Sequence, residues 1–427
     1  MITASAWAEK RYAVLGLARS GLATVQALAA AGAYVVAWDS DAAARSRAAE
    51  VDGVIVHDPA LLDLTDAAGL VMSPGVPLNT HPLAAQARAA GVPIIGDIEL
   101  FAQARAELPA HKVVGITGTN GKSTTTALVH HILKTAGVPT LMGGNIGLPI
   151  LGQEPLPAGG VYVLELSSYQ IDLTQSLDCD VAVLLNITPD HLDRYDGFEG
   201  YAASKARLFA MQRMGRAIVG VDDVPSRQIA DELQWQATRI TGRDYVKWQR
   251  KWPALQGPHN LQNAAAAIAA AEELGVGWPT IEVALASFTG LPHRMEHVAT
   301  VNGVAYVNDS KATNPDSAAP ALAAFDRIHW IVGGKAKGDE LDACRPAYGH
   351  VARAYTIGEA GPRFAAILKP DMAVEEAGTL DVAVHRAAAN ARPGDTVLLS
   401  PACASFDQFR DYEERGDAFR AAVAALA

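Results

Sequence analysis

Cysteine is nearly absent: the 427 residues hold only Cys179, Cys344 and Cys403, far apart along the chain. That scarcity excludes a disulfide framework and any paired-cysteine zinc spacing, and points to buried thiols in a reducing compartment. No run of about 18 apolar residues passes without a charge or a breaker, and the opening "MITASAWAEKRYAVLGLA" has no apolar stretch of leader length. A cytoplasmic protein without a membrane span is expected. Basic residues are also in deficit, with a formal net charge of −11, which disfavours a broad nucleic-acid-binding face. An anionic ligand must then be met locally, by loop N–H groups, a few lysines and arginines, or metal ions.

Two glycines are missing where nucleotide-binding patterns would place them. Gly16 to Gly21, "GLARSG", follows a strand-like run and opens a helix-like one, and Asp39 ends the next strand, as in a Rossmann βαβ unit. Ala18 stands where the dinucleotide fingerprint has its second glycine, so an NAD-linked oxidoreductase is disfavoured. In "GITGTNGKSTTT", Gly115 to Thr126, Ile116 occupies the first glycine position of the usual phosphate-loop pattern. Gly115, Gly118 and Gly121 still let backbone approach phosphate oxygens, Lys122 adds a point charge, and Ser123 offers a hydroxyl to Mg²⁺. Nucleoside triphosphate binding is the strong signal.

What is abundant is apolar: half the residues, with about a fifth charged, suit a soluble globular chain of roughly three domains at this length. Apolar runs that end in polar residues suggest parallel strands buried on both faces, with ligands at their carboxyl ends. "GVYVLELSSYQ" ends one such run at Glu165, a candidate magnesium carboxylate. "VAVLLNITPDHLDRY" places Asn186, Asp190, His191, Asp193 and Arg194 after another. "GPHNLQNAAAA" begins a helix with Asn260 and Asn263 at its entrance. Lys205, in "YAASKARLF", sits on a predicted helix, where a surface lysine is the ordinary reading. Later strand-end loops carry His293 and Arg294; Asn308, Asp309, Ser310, Lys311, Thr313 and Asn314; Lys335 and Lys337; and Ser400, Ser405 and Tyr412. For the loop "VNDSKATNPDS" a binding role competes with a turn whose helix is capped at Asp316.

Taken together, "GITGTNGKSTTT", "LELSSYQ", "NITPDHLDRY", "GPHNLQNAAAA", "LPHRME", "NDSKATN" and "LLSPACASFDQF" resemble the Mur ligases, ATP-dependent enzymes that add amino acids to the peptidoglycan precursor. "GDIELF", "GGNIGLP" and the "SPACASFDQF" ending look like the D-glutamate-adding branch. The resemblance covers essentially the whole chain, in order. It implies an α/β chain of three domains: a Rossmann-like N-terminal domain over 1–98 that binds the UDP substrate, a central P-loop-type ATPase domain with a mainly parallel sheet over 99–291, and a C-terminal Rossmann-like α/β domain over 292–427 that binds the amino acid. The implied substrates are UDP-N-acetylmuramoyl-L-alanine and D-glutamate, with a monomer expected.

The resemblance also assigns roles. Gly118, Thr119, Asn120, Gly121, Lys122, Ser123 and Thr124 would cradle ATP, with Asn260, Asn263, Arg294 and Asp309 around the nucleotide. Ser123 and Glu165 would hold one Mg²⁺ and His191 a second, and Lys205 matches the family's carbamylated lysine, an anion in place of a cation. Lys122, His191, Lys205 and Lys337 would be the catalytic set. D-glutamate would meet Lys311, Thr313, Lys337, Ser405 and Tyr412. The UDP substrate would lie against Arg19, Ser20, Asp39, Ser73, Pro74 and Gly75, with Asn145 reaching it from the second domain. Lys335, Tyr412 and Asp41 depart from what is common in the family, which bears on substrate contacts and not on the reaction. Two other readings are a Mur-superfamily ligase with a different amino acid, folylpolyglutamate synthetase included, and a regulatory module that binds ATP and a UDP-sugar without turnover.

Overall fold

Among the described residues the β-branched and aliphatic runs form seventeen strands in three sheets. A computed structural model describes residues 1–61, 63–190, 194–336, 338 and 340–426. The first sheet has the order β3-β2-β1-β4-β5, from β1 (Arg11–Leu15), β2 (Tyr34–Trp38), β3 (Val54–Val56), β4 (Ala67–Met72) and β5 (Ile94–Ile95), all paired parallel. The second has the order β11-β10-β9-β6-β8-β7, from β6 (His111–Thr117), β7 (Thr140–Gly144), β8 (Gly160–Glu165), β9 (Val181–Leu184), β10 (Arg216–Gly220) and β11 (Ala237–Ile240), again parallel throughout. Every residue of β8 and β9 is buried, as expected of strands covered by helices on both faces.

The third sheet, β12-β13-β17-β14-β15-β16, is built from β12 (Glu296–Val301), β13 (Val304–Asn308), β14 (Ile328–Gly333), β15 (Val351–Ile357), β16 (Val374–Gly378) and β17 (Thr396–Leu399). Its edge strand β12 runs antiparallel to β13, joined by the tight turn at Asn302 and Gly303, while the other pairs are parallel.

Two compact units result: Met1–Trp248 with Pro258–Ala286, and Gln249–Gly257 with Ser287–Ala427. The first holds two sheets on a shared core, in which Phe101, on the helix that leaves β5, meets Tyr162 of β8 edge to face with ring centroids 5.1 Å apart. The second is organised around the third sheet, with apolar clusters that include Trp330 and Phe364 in one, and Tyr355 and Phe419 in the other. All three cysteines are buried and free. Among the described residues no helix is long and apolar enough to cross a membrane.

Candidate active site

In each sheet the loops expected to bind ligand follow central strands, at points where the chain's connections diverge. β6 lies between β9 and β8, and the loop leaving Thr117 turns into the helix Lys122–Thr135. Gly121 precedes that helix at φ +85°, and a Cβ there would stand 2.1 Å from Asn263 Oδ1, so only glycine fits. No described side chain caps the helix; its N-terminal amides and dipole make an anion site. The loop is templated by its neighbour after β9. Thr119 N–H donates to the Asn186 carbonyl at 2.8 Å and Asn120 N–H to Asn186 Oδ1 at 2.9 Å. Asn186 in turn donates to Gln262 Oε1 at 2.8 Å.

Two lysines meet on this loop. Lys122 Nζ donates to the carbonyls of Gly118 (2.9 Å) and Thr119 (2.8 Å), and Lys205 Nζ donates to the same Gly118 carbonyl at 2.9 Å. Lys205, on the helix Gly197–Ala210, is only 1% exposed, so the surface-lysine reading fails. Its ammonium lies 4.5 Å from the ring centroid of Tyr201, one turn earlier, whose hydroxyl is 3.1 Å from Thr119 Oγ1. Burial, then the Lys122 charge, lower its pKa to about 7 against the partial opposition of Asp190 and Asp172. A large neutral fraction of this amine is therefore present near neutral pH.

Glu165 ends β8 and is 2% exposed. Its Oε1 accepts from Asn145 Nδ2 at 3.1 Å, whereas Oε2 has no hydrogen-bond partner among the described residues. A buried carboxylate oxygen left bare is costly. A hard cation would satisfy it, with Ser123, at the helix N-terminus, as the hydroxyl ligand. No three His, Cys, Asp or Glu among the described residues cluster to hold an ion by themselves. Magnesium takes one or two protein oxygens and completes its shell with phosphate and water. His191, expected at a second magnesium, lies outside the described residues.

In the first sheet β1 lies between β2 and β4. A Cβ on Gly16 would be 2.5 Å from Ser73 Cβ, so the turns after β1 and β4 touch. Arg19 and Ser20 open the helix Arg19–Ala30 there. Asp39 commits both carboxylate oxygens to this scaffold, accepting from Leu17 N–H at 2.6 Å and Asp41 N–H at 2.9 Å. Asp41 caps the helix Ala42–Ala49 through Ala43 N–H at 3.0 Å. The Pro74-Gly75 loop is held by Arg194, whose guanidinium donates to the carbonyls of Pro74 (3.3 Å), Gly75 (3.2 Å) and Val76 (2.9 Å) and stacks on Tyr169 at 4.1 Å. Beside it opens a cavity of about 510 Å³, with Arg88, Arg194 and Arg207 among its lining residues.

In the second unit the loops after β13, β17 and β14 are adjacent because those strands are. The first carries Asp309, Lys311 and Thr313, the second Ser405, the third Lys335; Lys337 lies outside the described residues. Lys335 and Ala404 exchange backbone hydrogen bonds of 2.9 and 3.0 Å, tying two of these loops together. Lys311 Nζ lies 5.5 Å from the Tyr412 ring centroid. Asp309 accepts from Ser400 Oγ (2.8 Å) and Met295 N–H (3.2 Å), yet burial still lifts its pKa to about 7. Arg294 is next in chain to Met295, and its charge works against that rise. The helix Pro315–Leu322 is capped by Asn314, which accepts from Ser317 N–H at 2.8 Å, and not by Asp316, which sits in its first turn. An asparagine three residues before an N–H can fold back on it, whereas Asp316 is already helical.

Residues 10–96 match the MurD-like N-terminal domain of the Mur ligases, residues 116–247 the Mur ligase middle domain, and residues 293–403 the Mur ligase glutamate ligase domain. The protein of Novosphingobium aromaticivorans named UDP-N-acetylmuramoylalanine--D-glutamate ligase is 64% identical over 433 residues, covering 100% of this chain and 97% of the relative. The chain belongs to the Mur ligase family. Proteins of the same name from Sphingopyxis alaskensis and Zymomonas mobilis are 63% and 54% identical, each covering 100% of both chains. Among solved Mur ligases, MurC of Thermotoga maritima aligns with a TM-score of 0.60 at 17% identity, covering 98% of this chain and 100% of its own. MurF of Acinetobacter baumannii gives 0.53 at 20% identity over 76% and 78% of the two chains. Both show a shared fold.

This Mur ligase also has positioning residues that motif reading passed over. Gln262 holds Asn186, which supports the phosphate loop, the Tyr201 hydroxyl meets Thr119 in the loop itself, and Arg194 holds the Pro74, Gly75 and Val76 carbonyls. Tyr201 lies four residues before Lys205 on the helix Gly197–Ala210, a spacing that puts the two on one face, whereas Gln262, two residues after Asn260 and one before Asn263, has no such spacing to mark it.

Proposed function

We propose that this Mur ligase adds D-glutamate to UDP-N-acetylmuramoyl-L-alanine with cleavage of ATP to ADP and phosphate, as a step of peptidoglycan precursor synthesis in the cytoplasm. The observation that carries the reading is the 64% identity over the whole chain to a relative bearing that name. A carboxylate repels an incoming amine, so it must first be activated. A substrate carboxylate oxygen attacks the γ-phosphorus and the bond to ADP breaks, giving an acyl phosphate. The D-glutamate amine then attacks the acyl carbon, the tetrahedral intermediate expels phosphate, and the amine loses a proton.

Gly118 to Thr124 hold the triphosphate by backbone N–H groups, and Lys122 stands ready to leave its loop carbonyls for phosphate oxygens. Asn260, Asn263, Arg294 and Asp309 are further nucleotide contacts on this reading. Ser123 and Glu165 would hold one magnesium ion and His191 a second, and the ions would supply positive charge to the transferring phosphoryl group. Lys205 enters as its carbamate: the neutral amine adds to CO₂ with loss of a proton, turning a cation that repels magnesium into an anion. Arg19, Ser20, Asp39 and Ser73 to Gly75 receive the UDP end, Asp39 also holding the turn through Leu17 N–H, and Asn145 reaches the substrate from beside Glu165, to which it donates. Lys311, Thr313, Lys337, Ser405 and Tyr412 receive D-glutamate, where two carboxylates call for cations.

The acyl-phosphate route is tested with UDP-N-acetylmuramoyl-L-alanine labelled with oxygen-18 in its carboxylate. One labelled oxygen per turnover is expected in the released phosphate, and unlabelled phosphate would exclude the route.

A further inference from the structure

A buried arginine lies beneath the three loops assigned to the amino acid, with no carboxylate among the described residues in an ion pair with it. Arg415, on the helix Tyr412–Ala424, is 1% exposed. Its Nε donates to Ser310 Oγ at 2.9 Å, and its Nη2 donates to the carbonyls of Ser310 (2.8 Å) and Cys403 (3.0 Å). Those contacts join the loop that carries Lys311 and Thr313 to the loop that carries Ser405. Nη1 has no hydrogen-bond partner among the described residues. It faces the third loop: a Cβ on Gly334 would lie 3.2 Å from it. One planar group thus bonds to two of the loops and lies beside the third.

Its charge is the second observation. Among the described residues no Asp or Glu oxygen forms an ion pair with Arg415. Asp407 acts on it only through space, and its carboxylate accepts from Glu359 N–H at 2.9 Å. Burying a guanidinium without a counter-ion is unfavourable, and burial pulls this one down to about 10. Hydrogen bonds to carbonyls offset part of that cost.

We infer that Arg415 is the positioning residue of the amino-acid-binding loops, bridging two of them from below and backing the third, and that the carboxylates of the amino-acid substrate complement its charge. This rests on the assignment of those loops to the amino acid. Lysine in its place keeps the charge but cannot reach two loops at once, and methionine keeps the packing and loses the charge.

The test is steady-state kinetics of Arg415→Lys and Arg415→Met against wild type, varying each substrate separately, with melting temperatures alongside. The expected result for Arg415→Met is a KM for D-glutamate raised at least about tenfold, the order of one charge-assisted contact, with KM for ATP and for the UDP substrate within about twofold. Arg415→Lys should fall between, and decides the matter if the methionine variant does not fold. A merely structural arginine would lower the melting temperature or kcat and leave KM for D-glutamate within about twofold of wild type in both variants, which overturns the inference. If the wild type uses another amino acid, the D-glutamate assignment falls and the comparison is read on that amino acid. A wild type that turns over none of them removes both.

Discussion

Lys205 shows how burial can change what a residue is. On sequence periodicity it is one lysine on one helix. In the fold it shares the Gly118 carbonyl with Lys122, and burial with that like charge brings its pKa to about 7. For a lysine the sign is simple: lowering the folded value leaves the amine protonated below about pH 7 and neutral above it, and only the neutral form adds CO₂. Carbamate formation in the metal-free protein, followed by carbon-13 NMR with labelled bicarbonate, should rise with pH around a midpoint near 7. A midpoint above 9, as for a solvated lysine of pKa about 10.4, would show the burial argument to be wrong. Lys205→Ala should lose activity by about 10²–10³-fold, the order for loss of one preorganised charge at a reacting centre, and regain part of it with a short carboxylate in solution. Full activity of that variant would end the proposed role.

At the scale of the element, the strand-loop-helix order around Gly115 to Thr126 was legible because buried strands and glycine turns have local signatures. The pairing order was not legible, because β9 and β8 flank β6 only through long-range contacts. β12 and β16, at the edges of the third sheet, are half exposed and so lack the continuous apolar run that marks a buried strand, and the cap at Asn314 competes in the sequence with Asp316 two residues on. Two predictions belong here. Gly121→Ala places a methyl group against Asn263 Oδ1 at a positive φ, so ATP-dependent turnover should drop by at least about 100-fold, as when a positioning element shifts by an ångström; turnover near wild type would mean the loop tolerates another conformation. Arg194→Ala frees the Pro74-Gly75-Val76 carbonyls, and charge-assisted contacts of this kind are worth about 1.5–3 kcal/mol each. A KM for the UDP substrate raised about tenfold or more, with KM for D-glutamate little changed, is expected in initial-rate measurements; equal rises in both would assign Arg194 a general structural role.

For the whole molecule, the deficit of basic residues and the spread of strand-end loops already favoured a site made from few local charges. The motifs, read together, pointed to the family, and a full-length relative at 64% identity supports it. What the amino-acid order could not disclose was which side chains hold the loops from behind: Arg194, Tyr201, Gln262 and Arg415 meet partners far away in the chain, and no short motif encodes such meetings. The central claim concerns the amino acid used, and one measurement addresses it. Phosphate release from ATP would be followed with UDP-N-acetylmuramoyl-L-alanine while D-glutamate, L-glutamate, L-alanine and meso-diaminopimelate are offered separately. Release with D-glutamate alone is the predicted result, and release driven by a different amino acid, or by none of the four, would contradict it.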